Sequence, residues 1–551
     1  MKTLKKRSLR TVCSEVFVLL ITSFVFSLAF PGLVFSEGMG FISFLVLIPV
    51  FAVIRNTSWR LIAPYGFFYG FMCYIFFNYW LSSFHPLAIL IVPIIKGGEM
   101  FFLFPALKAA DTFFRKRSYV LQAIIWVAYA YLSEGWFAGY PYGTICYALY
   151  DYRPLIQIAD ITGIWGIIFL QVLPQAFLGN YLVDRIKGEA EPFKLYLRSN
   201  WIILSVYAVL VAASIIYGFV RISEWEDKTP ERTWRVAAVQ HNHDSWQGGL
   251  TTYTRNFNNL KRYTLEAITK DPDIVIWSET AFVPSIDWNM MYDYEGNHEM
   301  RKLVQEFISF AESLPVPLLT GNADGEPIYP EQGPLLEDGS QNRKDYNSVV
   351  LFQNGRIDGK YRKQHLVPFT EHFPYEKQMP WLYNLLLAND YQWWEMGTEP
   401  VVFESDGVKF STPICFEDVF GYLSAEFVHE GADVIVNMTN DNWSGSVAAE
   451  KQHAYIAIFR AVETRKSVIR GTNSGLTCLI TPDGELHDPM RPFWMGYHVY
   501  DVPVYEGGND TFYVNHIDLF AKIAVYTSIV ILVSGAALKI ASTVKGRRKD
   551  D

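Results

Sequence analysis

Trp234-Arg-Val-Ala-Ala-Val-Gln-His-Asn242 is where the chain changes character. Before it the sequence is dominated by long apolar runs. From it onward, short runs rich in β-branched residues alternate with helical patterns. The alternation continues at 273–279 (DIVIWSE), 315–322 (PVPLLTGN), 346–355 (YNSVVLFQNG), 408–418 (VKFSTPICFED), 432–440 (ADVIVNMTN) and 467–475 (SVIRGTNSG), all of which read as strands. Residues 251–270, 298–313, 419–430 and 449–465 read as helices. Asn354-Gly355 and Asp483-Gly484 are hairpin signals, and the Gly-, Pro- and acid-rich stretch 325–345 predicts an exposed loop. Strands apolar on both faces, alternating with helices, predict a layered α/β sandwich.

Upstream, runs near the roughly 20 apolar residues that span a bilayer fall at 13–31, 39–54, 61–83, 86–107, 119–136, 155–183 and 201–221, and one more at 518–541. The first follows Lys2, Lys5, Lys6, Arg7 and Arg10 and could pass for a signal peptide. Further spans follow at once and no clear cleavage site appears, so it reads as a retained helix. The expected organisation is a seven-helix membrane bundle over 1–221, a catalytic domain over 222–517, and a final helix with a tail over 518–551. Lys/Arg placement sets the orientation. The N-terminal cluster, Arg55, Arg60, Lys108, Arg115, Lys116, Arg117, Arg185, Lys187, Lys194 and Arg198 fall on one side, which is the cytoplasm, with Arg153 the main exception. Seven crossings then place 222–517 outside, and an eighth returns Lys545, Arg547, Arg548 and Lys549 to the cytoplasm. Glu15, Lys96, Glu99 and Asp160 lie inside these spans, where charge is costly; they are either functional or locally paired.

The chain's net charge of −9 divides into +8 over 1–221, +3 over 518–551 and hence −20 over 222–517. A domain that acidic is a poor partner for phosphate backbones, which argues against nucleic-acid binding. Five scattered cysteines with no Cys-x-x-Cys pair indicate neither a disulfide framework nor structural zinc. His241 and His243 lack further ligands in sequence, so no metal and no cofactor is expected.

Three chemistry-bearing residues follow strand-like runs: Glu279, Lys363 and Cys415. Strand ends of α/β sheets gather active-site loops. Cys415 stands where a strand turns into a helix opening with Glu417-Asp418, and backbone N–H groups there favour a thiolate and an oxyanion. Taken singly, each has a bland reading: a packed thiol, a strand-end carboxylate, a surface lysine beside Lys360 and Arg362. Cys478, in mid-strand, reads as packing.

Taken together, and in this order, the three resemble the Glu-Lys-Cys triad of the nitrilase superfamily. Tyr361-x-Lys363-x-His365-Leu-Val-Pro-Phe369-x-Glu371 resembles the lysine motif of apolipoprotein N-acyltransferases. Asn437-Met-Thr-Asn440-Asp441-Asn-Trp443, Gln452-His453, Arg460-Ala461, Glu463-x-Arg465 and Arg470-Gly-Thr-Asn473-Ser-Gly475 resemble that family's later segments. Thr370, Phe416 and Ser444 depart from residues usual there (Gly, Tyr and Phe), which bears on the pocket rather than on the triad.

The resemblance implies an integral membrane bundle of about eight helices carrying a nitrilase-like αββα domain, in a bacterial inner membrane with that domain on the periplasmic side. Glu279 would be the general base, Cys415 the nucleophile that becomes a thioester, and Lys363 with the Phe416 backbone N–H the oxyanion donors. Glu371 and Glu417 would support them. Trp246, with Asn440 and Trp443, would line the substrate path. The implied partners are a phospholipid acyl donor, the α-amine of a diacylated apolipoprotein as acceptor, and membrane lipids, with the enzyme a monomer. The triad alone equally fits a membrane-bound amidohydrolase acting on a small amide, for which one anchor would suffice. A transporter or scaffold with a dead domain is the non-enzymatic alternative, and three intact triad residues argue against it.

Overall fold

Apolar sequence becomes helix at both ends of the chain in the computed structural model, which describes residues 8–84, 88–136, 138–337, 339–373, 375–387, 393–506 and 510–550. Contacts divide the chain into two units, Met1–Glu226 with His516–Asp551, and Asp227–Asn515.

In the first unit, among the described residues, five helices are long and apolar enough to cross a membrane: Leu9–Ser27, Ala88–Phe113, Ile164–Ile186, Trp201–Glu226 and Leu519–Ala541. Gly40–Asn56, Ile62–Phe77 and Ser118–Glu134 are shorter. The apolar windows of Trp201–Glu226 and Leu519–Ala541 are only 11% and 17% buried, so they turn oily surface outward as lipid-facing helices do. The run at 155–183 is not one helix. Gly163, at φ 60°, breaks it after two single-turn helices, and the long helix starts at Ile164.

The charged residues inside this unit are locally paired. Glu15 accepts from Asn56 Nδ2 (2.6 Å) and Tyr65 Oη (3.0 Å). Lys96 donates to Glu99 (3.1 Å) and Ser133 (2.5 Å). Asp160 accepts from Tyr217 Oη (2.8 Å). Arg55 bridges Asp111 and Asp184, each at 2.5 Å, and Arg115 reaches the same two carboxylates. Buried charge persists in an apolar setting only when matched in this way.

The second unit is built on two sheets. Its strands are β1 (Arg232–Gln240), β2 (Ile274–Ile276), β3 (Leu318–Pro327), β4 (Arg343–Gln353), β5 (Arg356–Arg362), β6 (Trp394–Glu395), β7 (Val402–Ser405), β8 (Val408–Ser411), β9 (Val434–Thr439), β10 (Ser467–Thr472), β11 (Cys478–Ile480), β12 (Leu486–His487) and β13 (Gly496–Val504). One sheet runs β13-β1-β2-β3-β4-β5 with β6 beside β4; the other runs β12-β11-β10-β9-β8-β7. Alternation along β1 and β2 decides the layering. Trp234, Val236, Ala238, Ile274 and Ile276 meet Phe410, Val434, Val436 and Ile469 of the facing sheet. The intervening Ala237, Val239, Val275 and Trp277 pack on Phe257, Leu260, Val304 and Phe307 of helices Leu250–Ile268 and His298–Ser313. Helices Gly421–His429 and Val447–Thr464 belong to the second sheet's side, completing an αββα sandwich.

The second unit also departs from the sequence reading. The exposed loop is shorter than 325–345, because β3 and β4 pair as far as Pro327↔Arg343, with Glu326 opposite Lys344 as an ion pair at 3.5 Å. The long β13, antiparallel to β1 from Gln240↔Gly496 to Arg232↔Val504, escaped the sequence reading; its half-exposed, polar alternation (GYHVYDVPV) carries little apolar signal.

Candidate active site

Three strand ends deliver three side chains to one place. Glu279 follows β2, Lys363 follows β5 directly, and Cys415 follows β8 in the facing sheet. Lys363 is fully buried, and its Nζ donates to Glu279 Oε1 (3.2 Å) and Glu371 Oε1 (2.8 Å). Asn347, from β4, donates to the same two oxygens at 2.7 and 3.3 Å. The Val367 N–H holds the other Glu371 oxygen at 2.8 Å. The Cys415 thiol lies close enough to Glu279 and Lys363 for both charges to act on it.

Cys415 has φ 49° at the start of the 3-10 turn Cys415–Val419. A non-glycine residue rarely adopts that conformation, and such strain tends to sit at functional turns. The thiol keeps partial solvent exposure.

Electrostatics sort the protons. Burial pushes Glu279 up; Lys363 pulls it down and Glu371 adds to the rise, leaving it above the ordinary carboxylate value. Burial works against the Lys363 ammonium, but Glu279, Glu371 and Cys415 outweigh it and hold it well above the usual lysine value. Burial, then the Glu279 charge, lift the Cys415 thiol well above its usual value, against Lys363. The resting arrangement is a protonated thiol beside a carboxylate lifted toward the range of a useful base, with a fixed cation next to both.

Glu417 is fully buried and ties the two loops together. It accepts from the backbone N–H of Ile414 (2.7 Å), Gln364 (2.7 Å) and His365 (2.9 Å) and from Tyr361 Oη (2.8 Å). Burial raises it to about 7 against those donors. Glu417→Ala would leave three backbone N–H groups and the Tyr361 hydroxyl, buried or partly buried, without this acceptor. It is expected to lower the stability of this unit by about 2–4 kcal/mol, by the penalty for unmet buried donors, read by thermal denaturation.

A second buried cluster adjoins the thiol. His453 bridges Asp441 Oδ1 and Asp418 Oδ1, each at 2.8 Å, and Arg470 pairs closely with Asp418. Burial works against the His453 charge, but Asp418 and Asp441 overcome it and raise the imidazole to about 9. A histidine raised on folding stabilises fully below its unfolded value near 6.5, and that contribution is lost as pH climbs through about 9. Across that window the wild type should lose about 3 kcal/mol more stability than His453→Gln, measured by melting at successive pH values. Cys415, Asp441 and His453 each offer a ligand atom within 4.8 Å of the others. Both His453 nitrogens are already engaged by carboxylates, so the set reads as an ion-pair network. His241 and His243 stack with ring centroids 4.4 Å apart, and among the described residues no third ligand joins them.

The remaining sequence candidates scatter around this centre. Phe416 packs against His365 and Phe420. Asn440 accepts from Ser245 Oγ (3.0 Å) and Asn473 Nδ2 (2.9 Å), pinning the loop that carries Trp246, itself 61% exposed. Trp443 is half-buried in the turn Asn442–Ser444. Of the departures, Thr370 Oγ1 donates to the Val367 carbonyl at 3.3 Å, and buried Ser444 caps the Ser446 N–H at 3.2 Å. Sequence reasoning missed Asn347 altogether; its only signal was an amide in an apolar strand. It noted Asp441, His453 and Arg470 in motifs without giving them a role.

Residues 235–499 match the carbon-nitrogen hydrolase family, and residues 22–177 match the apolipoprotein N-acyltransferase N-terminal domain. Apolipoprotein N-acyltransferase 1 of Treponema denticola is 38% identical over 89% of this chain and 90% of its own. The chain belongs to the apolipoprotein N-acyltransferase family. Apolipoprotein N-acyltransferase 1 of Treponema pallidum is 34% identical over 90% of this chain and 91% of its own. A crystal structure of an amidase from Nesterenkonia covers 49% of this chain and 90% of its own, with 15% identity and a TM-score of 0.35. The two matched regions fall in the two units described above.

Proposed function

We propose that this protein transfers a fatty acyl chain from a phospholipid, through a Cys415 thioester, to the α-amine of the diacylglyceryl cysteine of an apolipoprotein. The observation that carries the chemistry is Lys363 ion-paired to both Glu279 and Glu371, with the charges of Glu279 and Lys363 both acting on the Cys415 thiol. Glu279 takes the thiol proton as Sγ attacks the acyl ester carbonyl. The oxyanion of the tetrahedral intermediate is stabilised by the Lys363 ammonium and the Phe416 backbone N–H. Glu279 returns the proton to the departing lysophospholipid. The acceptor amine then attacks the thioester. Glu371 holds Lys363 in place, and Glu417 holds the loops.

The reading extends to topology: eight crossings of a bacterial inner membrane, counting the three shorter helices, with residues 227–515 on the periplasmic side. Arg55, Asp111, Arg115 and Asp184 support it, since they join the ends of three segments that the Lys/Arg pattern places on one face. Both substrates are lipids, so a multi-helix membrane part fits acyl transfer better than hydrolysis of a soluble amide. The test is mass spectrometry of the full-length protein after incubation with phospholipid vesicles, followed by addition of a diacylated lipopeptide. An acyl mass on Cys415 that moves to the peptide amine supports the proposal. An unmodified Cys415, or discharge to water alone, overturns it.

A further inference from the structure

We propose that Asp441 is the acceptor-recognition residue, binding the α-ammonium of the incoming lipopeptide beside the Cys415 thioester. The inference rests on the acyl-transfer reading above.

Asp441 is 4% exposed and lies in the turn after β9. Its Oδ1 is held by His453, while its Oδ2, fully buried, has no hydrogen-bond partner among the described residues. Arg470 Nη2 stands 3.8 Å from Oδ2, an ion-pair distance but beyond hydrogen-bond reach. A buried carboxylate oxygen left without a donor is rare and calls for an explanation. An ammonium would supply the missing donor and a compensating charge. The location fits, since an Asp441 oxygen lies within 4.8 Å of Cys415 Sγ.

A glycine, rather than a side chain, stands against that oxygen. Gly475 faces it, and a Cβ there would stand 3.0 Å from Oδ2. Glu450 is also buried, and burial together with Asp441 raises it to about 9, so at neutral pH it carries its proton. His453 and Arg470 counter Asp418 and Asp441, which leaves hydrogen-bond geometry, rather than surplus charge, to draw the ammonium. Glu279 and Lys363 complete the charged groups acting on the thiol.

In the transfer step the nitrogen loses two protons. One leaves to water as the ammonium becomes an amine still hydrogen-bonded to Asp441. The C–N bond then forms and the C–S bond breaks. The second proton passes through Glu279 to the departing sulfur, giving the amide and the free thiol.

The experiment separates the half-reactions in the full-length protein, using vesicles of phosphatidylethanolamine and phosphatidylglycerol and a synthetic diacylated lipopeptide. Asp441→Asn should acylate Cys415 at least as fast as wild type, because a charge opposing the thiolate is gone. Its transfer to the lipopeptide should fall about 10- to 100-fold, as expected for one lost charge-assisted hydrogen bond, mainly through KM for the acceptor. Asp441→Glu should recover part of the loss. If Asp441→Asn does not fold, Gly475→Ala, which crowds Oδ2, should reproduce the selective loss. Equal slowing of both half-reactions, or of neither, overturns the inference. A wild-type enzyme that forms the thioester but never acylates the peptide overturns the underlying reading instead.

Discussion

Cys415→Ser is expected to abolish lipopeptide acylation, by about 10,000-fold or more, while the protein remains folded in the membrane. The magnitude follows from what a nucleophile does: without it, no acyl-enzyme exists to discharge, and the other members of a catalytic set cannot substitute for it. Serine keeps the shape but raises the proton's pKa far beyond what Glu279 can accept. The swap removes only partly exposed sulfur from a site whose loops are held by Glu417, so the melting temperature should change little. The check is parallel: intact mass after phospholipid incubation, transfer rate, and thermal melting. Substantial transfer by a folded Cys415→Ser variant would eliminate the thioester mechanism.

Lys363→Ala should be nearly as damaging, and for two separable reasons. It removes the cation proposed to meet the oxyanion, worth about 1,000-fold where such a donor is lost. It also leaves Glu279 and Glu371 facing each other across Asn347 with no counter-charge. Breaking a buried ion pair by deleting one partner costs about 3–5 kcal/mol, unless the carboxylates take up protons. The outcome should therefore depend on pH. At low pH, protonation of Glu279, already raised by burial, relieves the repulsion and restores much of the melting temperature, but activity does not return. A Lys363→Ala enzyme that acylated itself at the wild-type rate would exclude the oxyanion role.

Glu279, Lys363 and Cys415 were legible in the sequence as candidates because each sits at the end of a recognisable strand and keeps a distinctive neighbourhood, as in Pro413-Ile-Cys415-Phe-Glu-Asp418. Glu371 was legible through the same lysine motif. Asn347 was not: an amide within an apolar strand has no pattern of its own, and its role exists only because β4 lies between β3 and β5. Asp441 and His453 were visible as letters in motifs, but their proximity to the thiol was not. They are 12 positions apart on a turn and a helix, and Asp418, 35 positions from His453, joins them only through packing.

Sequence by itself determined the apolar helical segments and the layered α/β unit between them, because hydrophobic period and run length are local properties of the chain. It also determined the order of the three candidate residues. The tertiary structure alone decided where the 155–183 run breaks, how far the β3–β4 hairpin extends, and that β13 closes the sheet beside β1. It alone decided that two carboxylates share one buried lysine while a third, Asp441, keeps a buried oxygen without a hydrogen-bond donor. The reason is physical: pKa shifts, ion pairs and unmet hydrogen bonds depend on distance and burial, and these are set by contacts between residues remote in the chain.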